Sequence, residues 1–103
     1  MRFMLKSKIH MAAITGCELN YEGSIAIDRT LLDLADMLPA EQVQVLNQNN
    51  GARFTTYIIE APADSGVIML NGPAARLGHP GDKVVVLSYC LLEEAAARAH
   101  TPK

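Results

Sequence analysis

The sequence has no tryptophan and only 5% aromatic residues, so its core must be built from small and branched aliphatic side chains. The two cysteines, Cys17 and Cys90, have no CxxC or CxxH spacing. The three histidines, His10, His79 and His100, also lack metal-ligand spacing, so no metal site is predicted. No apolar run is long enough to span a bilayer, and a formal net charge of −2 gives no basic field. The composition therefore predicts neither a membrane partner nor a nucleic-acid partner.

Length and cysteine content favour one cytoplasmic domain. The first residues alternate charged and apolar side chains, and Lys8 interrupts any signal-peptide core, so export is not indicated. In a reducing cytosol Cys17 and Cys90 are expected to be buried free thiols, with a disulfide as the minor alternative. The 103 residues, half of them hydrophobic, contain no flexible linker or repeat. We therefore expect residues 1–103 to form a single unit.

Short strands joined by tight turns dominate the chain. Strands are predicted over residues 2–15, 24–27, 41–47, 52–60, 67–70 and 83–92. The clearest feature is a hairpin, because Val43 and Val45 alternate with glutamines before the turn Asn49-Asn50-Gly51, whose residues tolerate φ > 0. Many short strands predict a mainly β barrel rather than a parallel α/β sheet.

Three short helical segments are predicted between these strands. The first is capped by Asp28 or Thr30 and ends before Pro39. Its buried stripe, at three- and four-residue spacing, is expected to contain Leu31, Leu34, Ala35 and Leu38. The others cover residues 74–77 and 93–99, the last being rich in alanine, glutamate and arginine.

The dipeptide Gly23-Ser24, before the short strand that begins at Ser24, carries the strongest chemical signal. Glycine enters crowded and left-handed backbone conformations without a Cβ penalty, so a strained peptide bond can be held there. The Ser24 hydroxyl can reach the Gly23 carbonyl and turn the amide into an ester. Elimination across Cα–Cβ then leaves dehydroalanine, which hydrolyses to an N-terminal pyruvoyl group. The sequence thus predicts self-cleavage into chains 1–23 and 24–103.

Four separated motifs support this interpretation together. They are Lys8-Ile9-His10, Tyr21-Glu22-Gly23-Ser24 with Ala26-Ile27-Asp28, Asn50-Gly51-Ala52-Arg53-Phe54-Thr55-Thr56-Tyr57, and Asn71-Gly72 with Ala74-Ala75-Arg76 and Gly81-Asp82. In this order and spacing the chain resembles the bacterial aspartate 1-decarboxylases over essentially its whole length. The resemblance implies a double-psi β-barrel and a homotetramer with active sites between subunits.

The resemblance also implies the reaction. Members of this family decarboxylate L-aspartate to β-alanine and CO₂ for pantothenate and coenzyme A biosynthesis. Their cofactor is a covalently bound pyruvoyl group, here derived from Ser24, with no metal and no pyridoxal phosphate. Its ketone forms a Schiff base with the substrate amine, and the adjacent amide carbonyl then accepts the electron pair that CO₂ leaves behind. Some members need an accessory maturation protein.

Roles for single residues follow from this resemblance and from their chemistry. Ser24 and Tyr57 are expected to be catalytic, with the Tyr57 phenol as proton donor to the substrate Cα. Gly23, Ser24, Thr56 and Asn71 are expected to act in self-processing. In this set the Thr56 hydroxyl donates to the Gly23 carbonyl, and Asn71 braces the loop.

The substrate has a second carboxylate that must be retained, which requires fixed positive charge. Arg53 offers a bidentate fork and Lys8 a second cation. The full substrate-binding set is expected to be Lys8, Arg53, Thr56, Gly72, Pro73 and Ala74. Pro73 stands where relatives usually carry alanine and lacks a backbone N–H, so Gly72 or Ala74 must supply that donor.

Two other functions stay open at this point. A non-catalytic β-barrel binding module would use Gly23-Ser24 only as a loop. A thiol-based redox or metal module would use Cys17 and Cys90, but no ligand set surrounds either residue. Relatives also continue into a further strand after the position of Lys103, so the C-terminus is expected to be shortened.

Overall fold

The computed structural model describes all residues from 1 to 103 and is built mainly from strands. The strands are β1 (Arg2–Ala13), β2 (Gly16–Glu18), β3 (Ser24–Asp28), β4 (Gln42–Asn47), β5 (Arg53–Ala61), β6 (Ile68–Asn71) and β7 (Lys83–Leu92). The helices are α1 (Arg29–Ala35), α2 (Glu94–Ala99) and a 3₁₀ helix over Gly72–Leu77. Neither α-helix has the length and apolar character that crossing a membrane requires.

One seven-stranded sheet organises the molecule, in the order β1-β7-β4-β5-β3-β6-β2. Strand β3 is parallel to β5 and antiparallel to β6. Strand β3 has a hydrogen-bonded neighbour on each side, and all five of its residues are buried. The core is a cluster of fifteen buried side chains, all aliphatic or methionine, as the shortage of aromatic residues predicts.

Helix α1 is shorter than predicted, and its buried face differs. Asp28 is the N-cap, since its side chain accepts a hydrogen bond from the Thr30 N–H. The helix ends at Ala35, and the residues of α1 that are buried are Leu32 and Ala35. The prediction that Leu34 and Leu38 belong to the buried stripe is wrong, because their side chains are 69% and 65% exposed. Leu38 lies beyond the end of the helix.

The predicted hairpin is confirmed. Strands β4 and β5 are antiparallel, and Gly51 in the turn between them has φ +75°. The last two helical segments are confirmed as well, although the helix predicted over residues 74–77 begins at Gly72 and is of the 3₁₀ type. Cys17 and Cys90 are free and half-buried, so the disulfide alternative is wrong.

Candidate active site

Ser24 is the first residue of β3 and is fully buried. It pairs with Asn71, the last residue of the antiparallel strand β6. The Asn71 side-chain amide donates a hydrogen bond to Ser24 Oγ over 3.1 Å, and Ser24 Oγ donates to the Glu22 carbonyl over 3.3 Å. The hydroxyl of Ser24 is therefore held by two partners beside the Gly23–Ser24 peptide bond.

Gly72 packs directly against the chain that precedes Ser24. Its φ of +65° is a left-handed conformation that favours glycine. A Cβ at this position would lie only 2.7 Å from the Tyr21 carbonyl oxygen and 2.8 Å from the Gly23 nitrogen. The start of the 3₁₀ helix can approach residues 21–23 this closely only because residue 72 has no side chain.

A pocket of about 440 Å³ opens beside Gly23. Its lining combines predicted site residues with others and consists of Gly23, Phe54, Thr55, Thr56, Tyr57, Pro73, Ala74 and Leu77. The parallel pairing of β3 with β5 begins at Ile25 and Ile58, the residues that directly follow Ser24 and Tyr57. The fold thus brings the predicted nucleophile, at the start of β3, level with the predicted proton donor, in the middle of the adjacent strand β5.

Thr56 and Pro73 also lie at this pocket. The structure has no hydrogen bond between the Thr56 hydroxyl and the Gly23 carbonyl, so its predicted donation is not made in this state. Pro73 lies in the first turn of the 3₁₀ helix. A helix leaves its first N–H groups without internal partners, so proline is accommodated there.

The two predicted cations do not line this pocket. Arg53, at the start of β5, is exposed, and its guanidinium donates to the Gln44 side chain over 2.8 Å. Lys8 is exposed on β1, and three strands separate β1 from β3 in the sheet order. Within one chain, the residues around the peptide bond are gathered, whereas Lys8 lies apart from them.

Three lining residues were not predicted, namely Phe54, Thr55 and Leu77. Phe54 and Thr55 lie inside the Asn50–Tyr57 motif, so the motif itself could have indicated them. Leu77 is the last residue of the 3₁₀ helix, and no local sequence pattern predicts that it lines the same pocket as Gly23. A larger groove, lined by residues that include Phe3 and Tyr89, contains none of the predicted site residues. Size alone therefore does not locate the site.

The thiol and metal interpretation has no support in the geometry. Burial, and secondarily the nearby Asp82 carboxylate, raise the pKa of the Cys17 thiol, which disfavours a reactive thiolate. No three side chains among histidine, cysteine, aspartate and glutamate are arranged to hold a metal ion.

Comparison with solved structures defines the class of fold first. The crystal structure of the rationally designed mkDPBB_sym_86 protein matches with a TM-score of 0.56 and 12% sequence identity, covering 81% of this chain and 96% of that chain. At this identity the likeness concerns the fold alone, and it confirms the predicted double-psi β-barrel with a few short helices.

Comparison of sequences then gives the family. The family model for aspartate decarboxylase matches residues 1–103. The aspartate 1-decarboxylase of Thermoanaerobacter pseudethanolicus is 55% identical, with 99% of this chain and 87% of the relative covered. Those of Pelotomaculum thermopropionicum and Caulobacter vibrioides are each 58% identical, with 96% of this chain and 75% and 84% of the relatives covered. The chain belongs to the aspartate decarboxylase family, as its motifs indicated.

Proposed function

We propose that this protein cuts its own backbone between Gly23 and Ser24 and then decarboxylates L-aspartate to β-alanine and CO₂, for pantothenate and coenzyme A biosynthesis. Membership of the family and the names of its relatives support the reaction. The single observation that carries self-cleavage is the buried Ser24 hydroxyl, held by Asn71 beside a peptide bond against which Gly72 packs.

The cleavage needs no group from outside the chain except water. Ser24 Oγ bonds to the Gly23 carbonyl carbon while the bond from that carbon to the Ser24 nitrogen breaks, which gives an ester and a free amine. Loss of the Cα proton and departure of the Gly23 carboxylate leave dehydroalanine. Water then replaces the nitrogen, which leaves as ammonia, and a pyruvoyl ketone remains. The Asn71 amide holds the attacking Ser24 oxygen before the first of these steps. Thr56 lines the same pocket as Gly23, which supports a role for its hydroxyl in stabilising the oxyanion.

The surroundings of Ser24 fit a pyruvoyl group. The group contains no more heavy atoms than the serine that it replaces, so the space now filled by Ser24 holds it, and the Asn71 amide remains available as a donor. When formed, the group would supply a sink for the electron pair that stays on the substrate Cα as CO₂ departs. This is the chemistry for which other decarboxylases use pyridoxal phosphate, and it needs no metal.

The chain's own residues then bind the substrate and return a proton. Tyr57 lines the pocket and is 37% exposed, which supports a role for its phenol as the proton donor to the substrate Cα. Gly72, Pro73 and Ala74 form a wall of small residues, in which Gly72 and Ala74 carry the backbone N–H groups. Arg53 provides the fork for the retained carboxylate.

We further propose that the active enzyme is a homotetramer with its sites between subunits. Lys8 is exposed on β1 and does not line the pocket of its own chain. A neighbouring copy can bring its Lys8 to that pocket, which supports a shared site. The two free cysteines fit the reducing cytoplasm, where we place the enzyme.

To test this, a series of samples in which an increasing fraction of the chains has been cut is incubated with L-aspartate, and the β-alanine and CO₂ formed are quantified. We expect the rate to rise in proportion to the fraction of chains cut at Gly23–Ser24. L-Glutamate, one methylene longer, serves as the matched substrate and should react much more slowly. Equal activity in uncut samples would contradict the self-cleavage. No product from fully cut protein would contradict the reaction and favour the non-catalytic barrel.

A further inference from the structure

The backbone carbonyl of Leu77, the last residue of the 3₁₀ helix, accepts hydrogen bonds from two side-chain amides. Asn47 Nδ2 donates over 3.1 Å and Asn50 Nδ2 over 3.0 Å. Both asparagines belong to the β4–β5 hairpin, which is distant in sequence. The last carbonyl groups of a helix have no partner within it, so these two amides supply what the helix itself cannot. We call Asn47 and Asn50 the asparagine clamp.

Asn47 is fully engaged in this clamp. Its side chain is buried at 2% exposure, and its second N–H bond goes to the Asp82 carboxylate over 3.0 Å. Its carbonyl oxygen accepts from the backbone N–H groups of Asn49 and Asn50. The side chain therefore has both donors and its acceptor satisfied, and its orientation is determined by the fold.

The 3₁₀ helix is consequently held at both ends. At its end, the clamp fixes the Leu77 carbonyl, and the Leu77 side chain lines the pocket beside Gly23. At its start, Gly72 presses on the backbone of Tyr21 and Gly23. A 3₁₀ helix rises about 2 Å per residue, so these two ends are only about 10 Å apart. Movement at the clamped end is therefore transmitted to the peptide bond that is to be cut.

We infer that the asparagine clamp is a positioning device for self-cleavage: by fixing the Leu77 carbonyl, it holds the start of the 3₁₀ helix against residues 21–23. This inference rests on the proposed function, because it assigns the clamp a role in the same cleavage. Neither asparagine touches Ser24, so both are positioning residues that act through the helix.

Asn50 offers the cleaner variant because it is exposed, whereas replacing the buried Asn47 also lowers stability. Asn50→Asp keeps the oxygen that accepts from the Ala52 N–H but removes the donor to Leu77. The matched control is Asn49→Asp, which adds the same charge in the same turn. The Asn49 side chain uses only its oxygen, which accepts from the Lys83 N–H, so this variant keeps its contact.

The experiment follows the loss of freshly made uncut chain by denaturing electrophoresis for wild type and both variants, together with their melting temperatures. We expect Asn50→Asp to slow cleavage about three- to tenfold, the range for one lost hydrogen bond, and to melt a few degrees below Asn49→Asp, because the same bond also contributes to stability. We also expect faster amide hydrogen exchange over residues 72–77 in uncut Asn50→Asp than in uncut Asn49→Asp.

Two failures are distinguishable. If wild type is cut and Asn50→Asp is cut at the rate of Asn49→Asp, the clamp inference is overturned while the proposed function stands. If the wild-type chain is never cut, both the proposed function and the role of the asparagine clamp are contradicted. If Asn50→Asp is cut more slowly but its amide exchange over residues 72–77 equals that of Asn49→Asp, the inference is also overturned, because general destabilisation and not the helix would then explain the slower cleavage.

Discussion

The region around Ser24 and the region around the two cations are built in opposite ways. Ser24 and Asn71 are buried and hydrogen-bonded to each other, and Gly72 packs on the chain beside them. Lys8 and Arg53 are exposed on β1 and β5, and neither lines the pocket at Gly23. The residues of the first region lie together within one chain, whereas the two cations lie outside that pocket.

This difference separates the two reactions that we propose. Self-cleavage is a reaction of one chain with itself, so its groups belong in the interior, where a hydroxyl and a peptide bond keep a fixed geometry. Aspartate must arrive from solvent and leave as β-alanine, so the groups that bind it belong at a surface. Variants of the buried region should therefore affect cleavage, and variants of the cations should affect substrate binding alone.

The largest effect is expected for Ser24→Ala, which removes the nucleophile. Cleavage should slow by at least about 10³-fold, as is usual when a nucleophile is deleted. Intact mass spectrometry after expression would show a single uncut chain. The control is Ser65→Ala, an exposed loop serine whose hydroxyl contacts only the backbone. Cleavage of the Ser24→Ala chain at the wild-type position and rate would remove the basis for distinguishing the two regions.

Next in size is Gly72→Ala, which forces a Cβ into the backbone of residues 21–23. We expect a loss of about 3 kcal/mol or more in unfolding free energy, together with slower cleavage. Gly66→Ala is the matched control, because Gly66 has a similar positive φ of +72° but no atom within 4 Å of its Cβ position and lies outside the turn that carries the asparagine clamp. It should cost only the left-handed strain of about 1–2 kcal/mol and leave cleavage unchanged. Urea unfolding and electrophoresis measure both quantities, and equal behaviour of the two variants would argue against the close packing.

Arg53→Gln tests the exposed region. Loss of a charge-assisted contact to the retained carboxylate should raise the KM for L-aspartate about ten- to hundredfold. The rate of self-cleavage should stay at the wild-type value. Lys83→Gln, which removes an exposed strand cation elsewhere, is the control and should change neither. An Arg53→Gln chain with slower cleavage but normal KM would reverse the assignment of the two regions.

The smallest effect is expected for the stability of the protein in acid, which depends on Asp28 at the end of β3 opposite Ser24. The Asp28 carboxylate accepts hydrogen bonds from the backbone N–H groups of Gly66, Thr30 and Asp64. These bonds, that of Gly66 most of all, lower the pKa of the Asp28 carboxyl. The unfolded chain therefore binds this proton more readily than the folded chain. The stability that Asp28 contributes is complete above about pH 4 and is lost as the pH falls through its lowered folded pKa.

Asp28→Asn should accordingly lower the unfolding free energy at neutral pH and reduce its fall upon acidification between about pH 5 and pH 2. Denaturant titrations at several pH values measure this. Asp36→Asn, at the exposed end of α1, is the control, because asparagine also adopts the left-handed conformation of that residue. An Asp28→Asn variant with the acid sensitivity of wild type would show that these hydrogen bonds do not determine it.

Much of this molecule could be predicted from local patterns. The alternation of Val43 and Val45 and the glycine turn at Gly51 determine the hairpin, and the Gly23-Ser24 dipeptide in its motif indicates the processing site that we propose. These features depend on neighbours in sequence or on a combination of short motifs. The side of α1 that is buried could not be predicted, because Leu32 and Leu34 are equally apolar, and the tertiary contacts of β3 and the core select Leu32.

The pocket required long-range information. Leu77 meets Gly23 only because the 3₁₀ helix follows β6, which pairs with β3. The asparagine clamp likewise joins a hairpin to a helix that begins more than twenty residues later. No local periodicity encodes such contacts, since they arise from the crossing of strands in the barrel.

The most direct test of the account is the mass of the fragment that begins at residue 24, measured before and after treatment with borohydride. We expect fully active protein to contain fragments 1–23 and 24–103, and the larger fragment to gain two hydrogens when its ketone is reduced. A fully active preparation that consists of uncut chain, with an intact serine and no mass change, would contradict the central claim.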